Sequence, residues 1–181
     1  MAVRKKQIRE IVESLLDQHR VRQAPVPVKK LVRAFDIQIK LDEVDDELSG
    51  FLFRDRRAGR TVIGVNNSQH PNRQRFTIAH ELGHYVLHEG ETVHLDHTRN
   101  AVAINLRNSE SATGENDDER EANLFAAELL MPARFLENDL LGKDLDLLGE
   151  EDRLLEDLAK KYKVSTRALT FRLSNLGYIG L

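Results

Sequence analysis

The chain contains no cysteine, which excludes disulfides, iron–sulfur clusters and thiolate zinc sites, so any metal must be held by histidine, aspartate or glutamate. It has no long uninterrupted hydrophobic run, and its first residues, Met1-Ala2-Val3-Arg4-Lys5-Lys6, lead into charge rather than into an apolar stretch. The expectation is a soluble, cytoplasmic protein with no membrane span and no targeting segment. Nor is there an excess of one charge: 27 Lys and Arg stand against 30 Asp and Glu. That balance gives no whole-chain attraction to nucleic acid or to an anionic membrane, so a partner must be recognised locally. There is no internal repeat and no low-complexity tract.

At 181 residues the chain is long enough to bury the core of one domain, or of one domain with a small appendage. Apolar residues recur at helical spacing over residues 5–18 (Ile8, Ile11, Val12, Leu15, Leu16), and a shorter helical pattern follows Pro25 and Pro27 over residues 28–35. Ile37, Ile39 and Leu41 alternate with polar residues as in a half-buried strand. Phe51-Leu52-Phe53 and Thr61-Val62-Ile63-Gly64-Val65 flank a basic turn at Ala58-Gly59 and predict a β-hairpin, hence a small antiparallel sheet. A helix is predicted over residues 72–88, then a polar stretch over 89–116 with little periodicity, then helices over 119–130, after Pro132, and over 150–162 and 165–176. The acidic runs at 42–47 and 115–121 are expected to be solvated surface or helix-start charge.

Five of the seven histidines lie between positions 80 and 97. His80 and His84 stand four apart within a predicted helix, which puts both imidazoles on one face, one turn apart, where they can share an ion. Glu81, between them, points to a flank from which it can take a proton from water activated by that ion. This is the HExxH pattern of zinc peptidases. The chemistry needs these residue types: neutral imidazoles leave the metal with residual positive charge, which acidifies water and polarises a peptide carbonyl, while Glu81 serves as the base and then as the acid toward the departing amine. Thr77, Ile78, Ala79, Leu82 and Gly83 make the helix apolar around the polar triplet, as expected of a buried motif.

His88 lies two turns from His80, roughly 12 Å along the axis, too far to join both other histidines on one ion. It is assigned a packing or hydrogen-bonding role behind a metal ligand. His94 and His97 are candidates for stabilising an oxyanion, with surface placement the plainer expectation. The metzincin extension is excluded, since it wants Gly at position 87 and His at position 90, where Leu87 and Gly90 stand. A carboxylate from a second helix is then the natural third ligand, and Glu119-Arg120-Glu121-Ala122-Asn123 opens the best candidate.

Two linked blocks carry a resemblance. Arg75-Phe76-Thr77-Ile78-Ala79-His80-Glu81-Leu82-Gly83-His84, followed by the block from Glu119-Arg120-Glu121-Ala122-Asn123 through Leu129-Leu130-Met131-Pro132, resembles the ImmA/IrrE family of regulatory metallopeptidases. The likeness continues in Val164-Ser165 and Leu173-Ser174-Asn175-Leu176-Gly177. It implies an α+β, thermolysin-like gluzincin core, with one zinc held by His80, His84 and a carboxylate of the second block, and Glu81 as base. It also implies a regulatory role, since many relatives cleave or antagonise a helix-turn-helix repressor, often encoded beside them on mobile elements.

Within the second block, at about 100° per residue, Ala122, Asn123, Ala126 and Leu130 fall within roughly 60° of Glu119, a small and apolar face suited to packing on the zinc helix. Glu121 lies roughly 160° away and is expected to face solvent. Glu119 is therefore preferred as ligand, with Glu121 its rival. Asn123, one turn beyond Glu119, is placed to accept a hydrogen bond from the free nitrogen of a metal-bound histidine.

Residues 1–140 are expected to form the peptidase domain and 141–181 a helix-turn-helix-like appendage. From residue 150 to the end there are six basic and five acidic residues, a balance that favours packing on the core or a protein partner over DNA. The leading expectation is a zinc endopeptidase of narrow specificity acting on a regulatory protein, its substrate extended along the Thr61–Val65 strand. The alternatives are a non-catalytic zinc-fold binding or DNA-binding module, which would have no use for Glu81, and a toxin or antitoxin component.

Overall fold

The computed structural model describes residues 4–43, 48–89, 93–97, 114–141 and 151–180. Among them are helices α1 (Lys5–Gln18), α2 (Val28–Ala34), α3 (Pro71–Leu87), α4 (Gly114–Leu130), α5 (Ala133–Leu140), α6 (Glu151–Tyr162) and α7 (Thr166–Asn175). Strands β1 (Ile37–Asp42), β2 (Leu48–Asp55), β3 (Arg60–Asn66) and β4 (Val93–His97) form one sheet in the order β1-β3-β2-β4. The protein is α+β. No helix of the described residues is long and apolar enough to cross a membrane.

The sheet corrects two expectations. It is mixed rather than antiparallel: β2 runs antiparallel to β3 and β4, but β1 runs parallel to β3. A period of two tells which face of a strand is buried and says nothing about its partner's direction. The second correction concerns the substrate strand. Residues 61–65 are paired with β1 on one side and β2 on the other, so β3 has no free edge on which a peptide could add. The fourth strand, β4, lies in the stretch expected to be irregular. Its alternation of Val93, His94, Leu95 and Asp96 is the signal that could have found it, because it puts His94 and Asp96 on one face.

Helix α3 crosses the middle of the molecule. Pro71 starts it, and His70 Nδ1 accepts from the Asn72 amide at 3.1 Å. From Thr77 to His84 every side is buried, which a helix tolerates only when neighbours cover its whole circumference. Two glycines permit that. A Cβ on Gly50 of β2 would stand 2.4 Å from Thr77 Cγ2, and a Cβ on Gly83 would stand 3.1 Å from Ala122 Cα of α4. The second approach brings α4, with Glu119, against the histidine face. The apolar face of α4 continues through Phe125, Ala126, Leu129 and Leu130, all fully buried.

The C-terminal helices are held to this core. Arg172 of α7 is buried, donates to the Met131 carbonyl at 3.1 Å and pairs with Glu128 of α4 through both terminal nitrogens. Tyr162 of α6 donates to Asp139 of α5 at 2.8 Å. Ser165 caps α7, its hydroxyl accepting from the Ala168 amide.

Candidate metal centre

Three elements converge on one point. Helix α3 supplies His80 and His84, whose Nε2 atoms are 3.1 Å apart. Helix α4 supplies Glu119, with Oε2 3.5 Å from His80 Nε2 and Oε1 3.1 Å from His84 Nε2. Strand β4 supplies His94, with Nε2 3.0 Å from Glu119 Oε1. Four ligands placed tetrahedrally at 2.0–2.1 Å from zinc lie about 3.3 Å from one another. The spacings observed, 3.0 to 3.5 Å, are close to that value, so the residues present fit a zinc ion.

The protonation states agree. Burial, assisted by the neighbouring His84, lowers His80 to about 3, and burial lowers His84 as well. Both imidazoles are thus neutral, with lone pairs free for a metal. Burial alone would raise Glu119, but its contacts with His84 and His94 and the nearby His80 outweigh that and hold the carboxyl well below the usual range. The set is two neutral imidazoles and one carboxylate, with the imidazole of His94 beside them.

Glu81 lies on the adjacent flank, completely buried. Neither carboxylate oxygen has a hydrogen-bond partner among the described residues. Burial pushes its pKa well above the ordinary value, aided by Asp96 and Glu119 and opposed by Arg54. His80, Glu81 and Asp96 bring ligand-type atoms within 4.8 Å of one another. An ionisable group buried without a partner is costly, and its persistence beside a metal-competent cluster marks a group kept for chemistry.

The remaining candidates fall around this core. His88 touches the back of His84, with Nδ1 to Nδ1 at 3.2 Å. Asn123 does not reach a histidine nitrogen: it donates to the Glu119 carbonyl at 2.8 Å, the usual way a mid-helix amide satisfies itself on the preceding turn. Glu121 is not solvent-facing, since its side chain is 7% exposed and it is bound by Arg4. The expectation failed because α4 begins at Gly114, so Glu121 sits two turns inside the helix, where the start of α1 covers it. That contact draws the Glu121 carboxyl down to about 2. His94 is at the site rather than on the surface. His97 ends β4 opposite Leu48, and its side chain lies outside the described residues.

Sequence reasoning missed Asp96, Arg4 and Arg54. Arg54 of β2 donates to the carbonyls of His84 and His88 at 2.7 and 3.1 Å, closing the C-terminal end of the zinc-motif helix with a cation.

Residues 32–174 match the family described as the IrrE N-terminal-like domain, and the chain belongs to that family. It is 33% identical over 113 residues to the radiation response metalloprotease IrrE of Deinococcus radiodurans, covering 62% of this chain and 30% of that protein. It is 29% identical over 132 residues to the metallopeptidase ImmA of Bacillus subtilis, covering 72% of this chain and 66% of that one. The chain thus spans about a third of the IrrE protein's length. Among solved structures, a Mycobacterium tuberculosis transcriptional regulator shares the fold with a TM-score of 0.63 at 17% identity, over 93% of this chain and 46% of that chain.

Proposed function

We propose that the chain is a zinc-dependent endopeptidase of narrow specificity, built on a thermolysin-like gluzincin core, whose substrate is a regulatory protein of the helix-turn-helix repressor class. The observation that carries the reading is the close convergence of His80, His84 and Glu119, at 3.1 to 3.5 Å, beside the buried carboxylate of Glu81, which has no hydrogen-bond partner among the described residues. Relatives named metalloprotease and metallopeptidase support it.

In this reading His80, His84 and Glu119 hold the ion, and His94 faces the open position. Zinc bound there would supply the Lewis acidity that polarises a peptide carbonyl and acidifies water. Glu81, its proton affinity raised by burial, takes a proton from the attacking water and passes it to the departing amine. His94, 24% exposed, donates toward the oxygen on which negative charge develops. The substrate backbone adds to β4, an outer strand of the sheet among the described residues, beside His94. The sheet and α3 keep bulk water from Glu81.

One observation favours a second reading. The His94 ring nitrogen lies in the same cluster as the other three ligand atoms, so four protein ligands could close the site and leave a non-catalytic binding module. Two variants separate the readings. Glu81→Gln should keep one zinc per chain and lose cleavage of a helix-turn-helix repressor that the wild type cleaves. His94→Ala should keep zinc affinity within a few-fold and slow cleavage by roughly 100-fold. Normal cleavage by Glu81→Gln would reject the peptidase mechanism, and loss of zinc from His94→Ala would support the closed site.

A further inference from the structure

A second chain of contacts leaves the site from behind His84. To offer Nε2 to an ion, His84 must carry its proton on Nδ1. His88 Nδ1 lies 3.2 Å from that atom, so it must accept. His88 then carries its own proton on Nε2, which lies 3.3 Å from Glu121 Oε2. Glu121 can only accept, and both its oxygens are held by Arg4: Nε is 3.0 and 3.2 Å from them, and the Arg4 amide is 3.1 Å from Oε1. The terminal nitrogen of the same guanidinium completes the pair. Each link dictates the next, and the chain runs in one direction.

We infer that Arg4 and Glu121 are positioning residues for the metal: through His88 they fix the tautomer and ring orientation in which His84 presents Nε2. The inference rests on His84 being a metal ligand. Outer partners of this kind hold ligating imidazoles in place and raise their basicity. Here the anchor is far away in sequence, because Arg4 and Glu121 are 117 residues apart. The backbone just before α1 is thereby tied to the metal centre.

The same atoms allow another reading. His88, Asp118 and Glu121 bring ligand-type atoms within 4.8 Å of one another and could be taken for a second metal site. Arg4 decides against it. Its guanidinium already supplies the positive charge on both oxygens of Glu121, and Asp118 is 58% exposed, a weak third ligand.

The test uses the full chain with zinc as the probe. Wild type, Glu121→Ala, Glu121→Gln, His88→Gln and Arg4→Met are compared by chelator competition below their melting temperatures, and imidazole tautomers are read by nitrogen NMR with and without zinc. The expected results are a loss of zinc affinity of roughly 10–100-fold in Glu121→Ala and His88→Gln, with smaller losses in Glu121→Gln and Arg4→Met. His88 should carry its proton on Nε2 in wild type and become a mixture of tautomers in Glu121→Ala. Full-affinity binding by Glu121→Ala and His88→Gln would overturn the inference while leaving the site assignment standing, as would His88 protonated on Nδ1 in wild type. A second zinc per chain, lost on changing Glu121 while the first stays unchanged, would also overturn it, in favour of a second metal site. Wild type that binds no zinc would remove both.

Discussion

The two halves of α4 each hold a glutamate against a different part of the molecule, and they treat it in opposite ways. Near the end of the helix, Glu128 is 4% exposed and enclosed by guanidinium groups, Arg172 at 2.9 Å and Arg9 at 3.3 Å. Near the start, Glu119 faces only imidazoles, with no arginine or lysine paired to it among the described residues. Glu128 has its countercharge in the protein and joins α1, α4 and α7. Two partners of Glu119, His80 and His84, are kept neutral by burial, and Glu81 beside it has no hydrogen-bond partner among the described residues. Glu128 is matched by guanidinium groups, as Glu121 is by Arg4, whereas Glu119 is matched by imidazoles alone among the described residues. The difference separates a buried charge that holds a fold together from one placed, in the proposed function, to meet an ion.

The comparison can be strained from the stable end first. Glu128→Ala leaves Arg172 buried and unpaired, so urea unfolding should show a loss of about 3–5 kcal/mol, with zinc affinity unchanged in the protein that remains folded. If zinc affinity falls with stability, the two halves are not independent. Gly83→Val drives a side chain into Ala122, where a Cβ alone already meets Cα at 3.1 Å. It should cost about 1–3 kcal/mol and, unlike the first change, weaken zinc binding, because it moves Glu119 away from His80 and His84.

A pH series on the metal-free protein probes the other half. His80 is lowered from 6.5 to about 3, so between those values the unfolded chain binds a proton that the folded one refuses. Stability should therefore fall as pH drops from 6.5 toward 3, and His84, lowered in the same sense, adds to the slope. Burial raises Glu81, which opposes this slope, so the series is run on Glu81→Gln, where a flat profile would mean the histidines are not held neutral by the fold. The smallest effect is expected at Asn123. Asn123→Ala removes only the bond to the Glu119 carbonyl and should cost about 0.5–1.5 kcal/mol, with zinc affinity changed less than by Gly83→Val.

Much of this site was legible in the sequence. His80, Glu81 and His84 stand out because three polar residues interrupt an otherwise apolar helix, and the second block of the family resemblance, read at the helical period, points to Glu119 on the side of Ala122 and Ala126. The strands of the hairpin were legible for the same reason. What escaped is what local pattern does not encode. The parallel pairing of β1 with β3 is a choice of partner that alternation leaves open. Strand β4 is five residues long within a polar stretch, so its short alternation of Val93, His94, Leu95 and Asp96 went unread. Glu121 was misplaced because its burial depends on Arg4, at the far end of the sequence, and on where α4 begins. Long-range ion pairs leave no periodic trace.

The central claim is that Glu119 waits for zinc. Its most direct test is chelator competition on Glu119→Gln beside wild type, with the melting temperature of the metal-free proteins measured in parallel. The account predicts that wild type binds one zinc per chain, that the variant loses more than roughly 100-fold in affinity, and that its metal-free melting temperature is unchanged or higher. A variant that binds zinc as tightly as wild type, or that fails only because it no longer folds without metal, would contradict it.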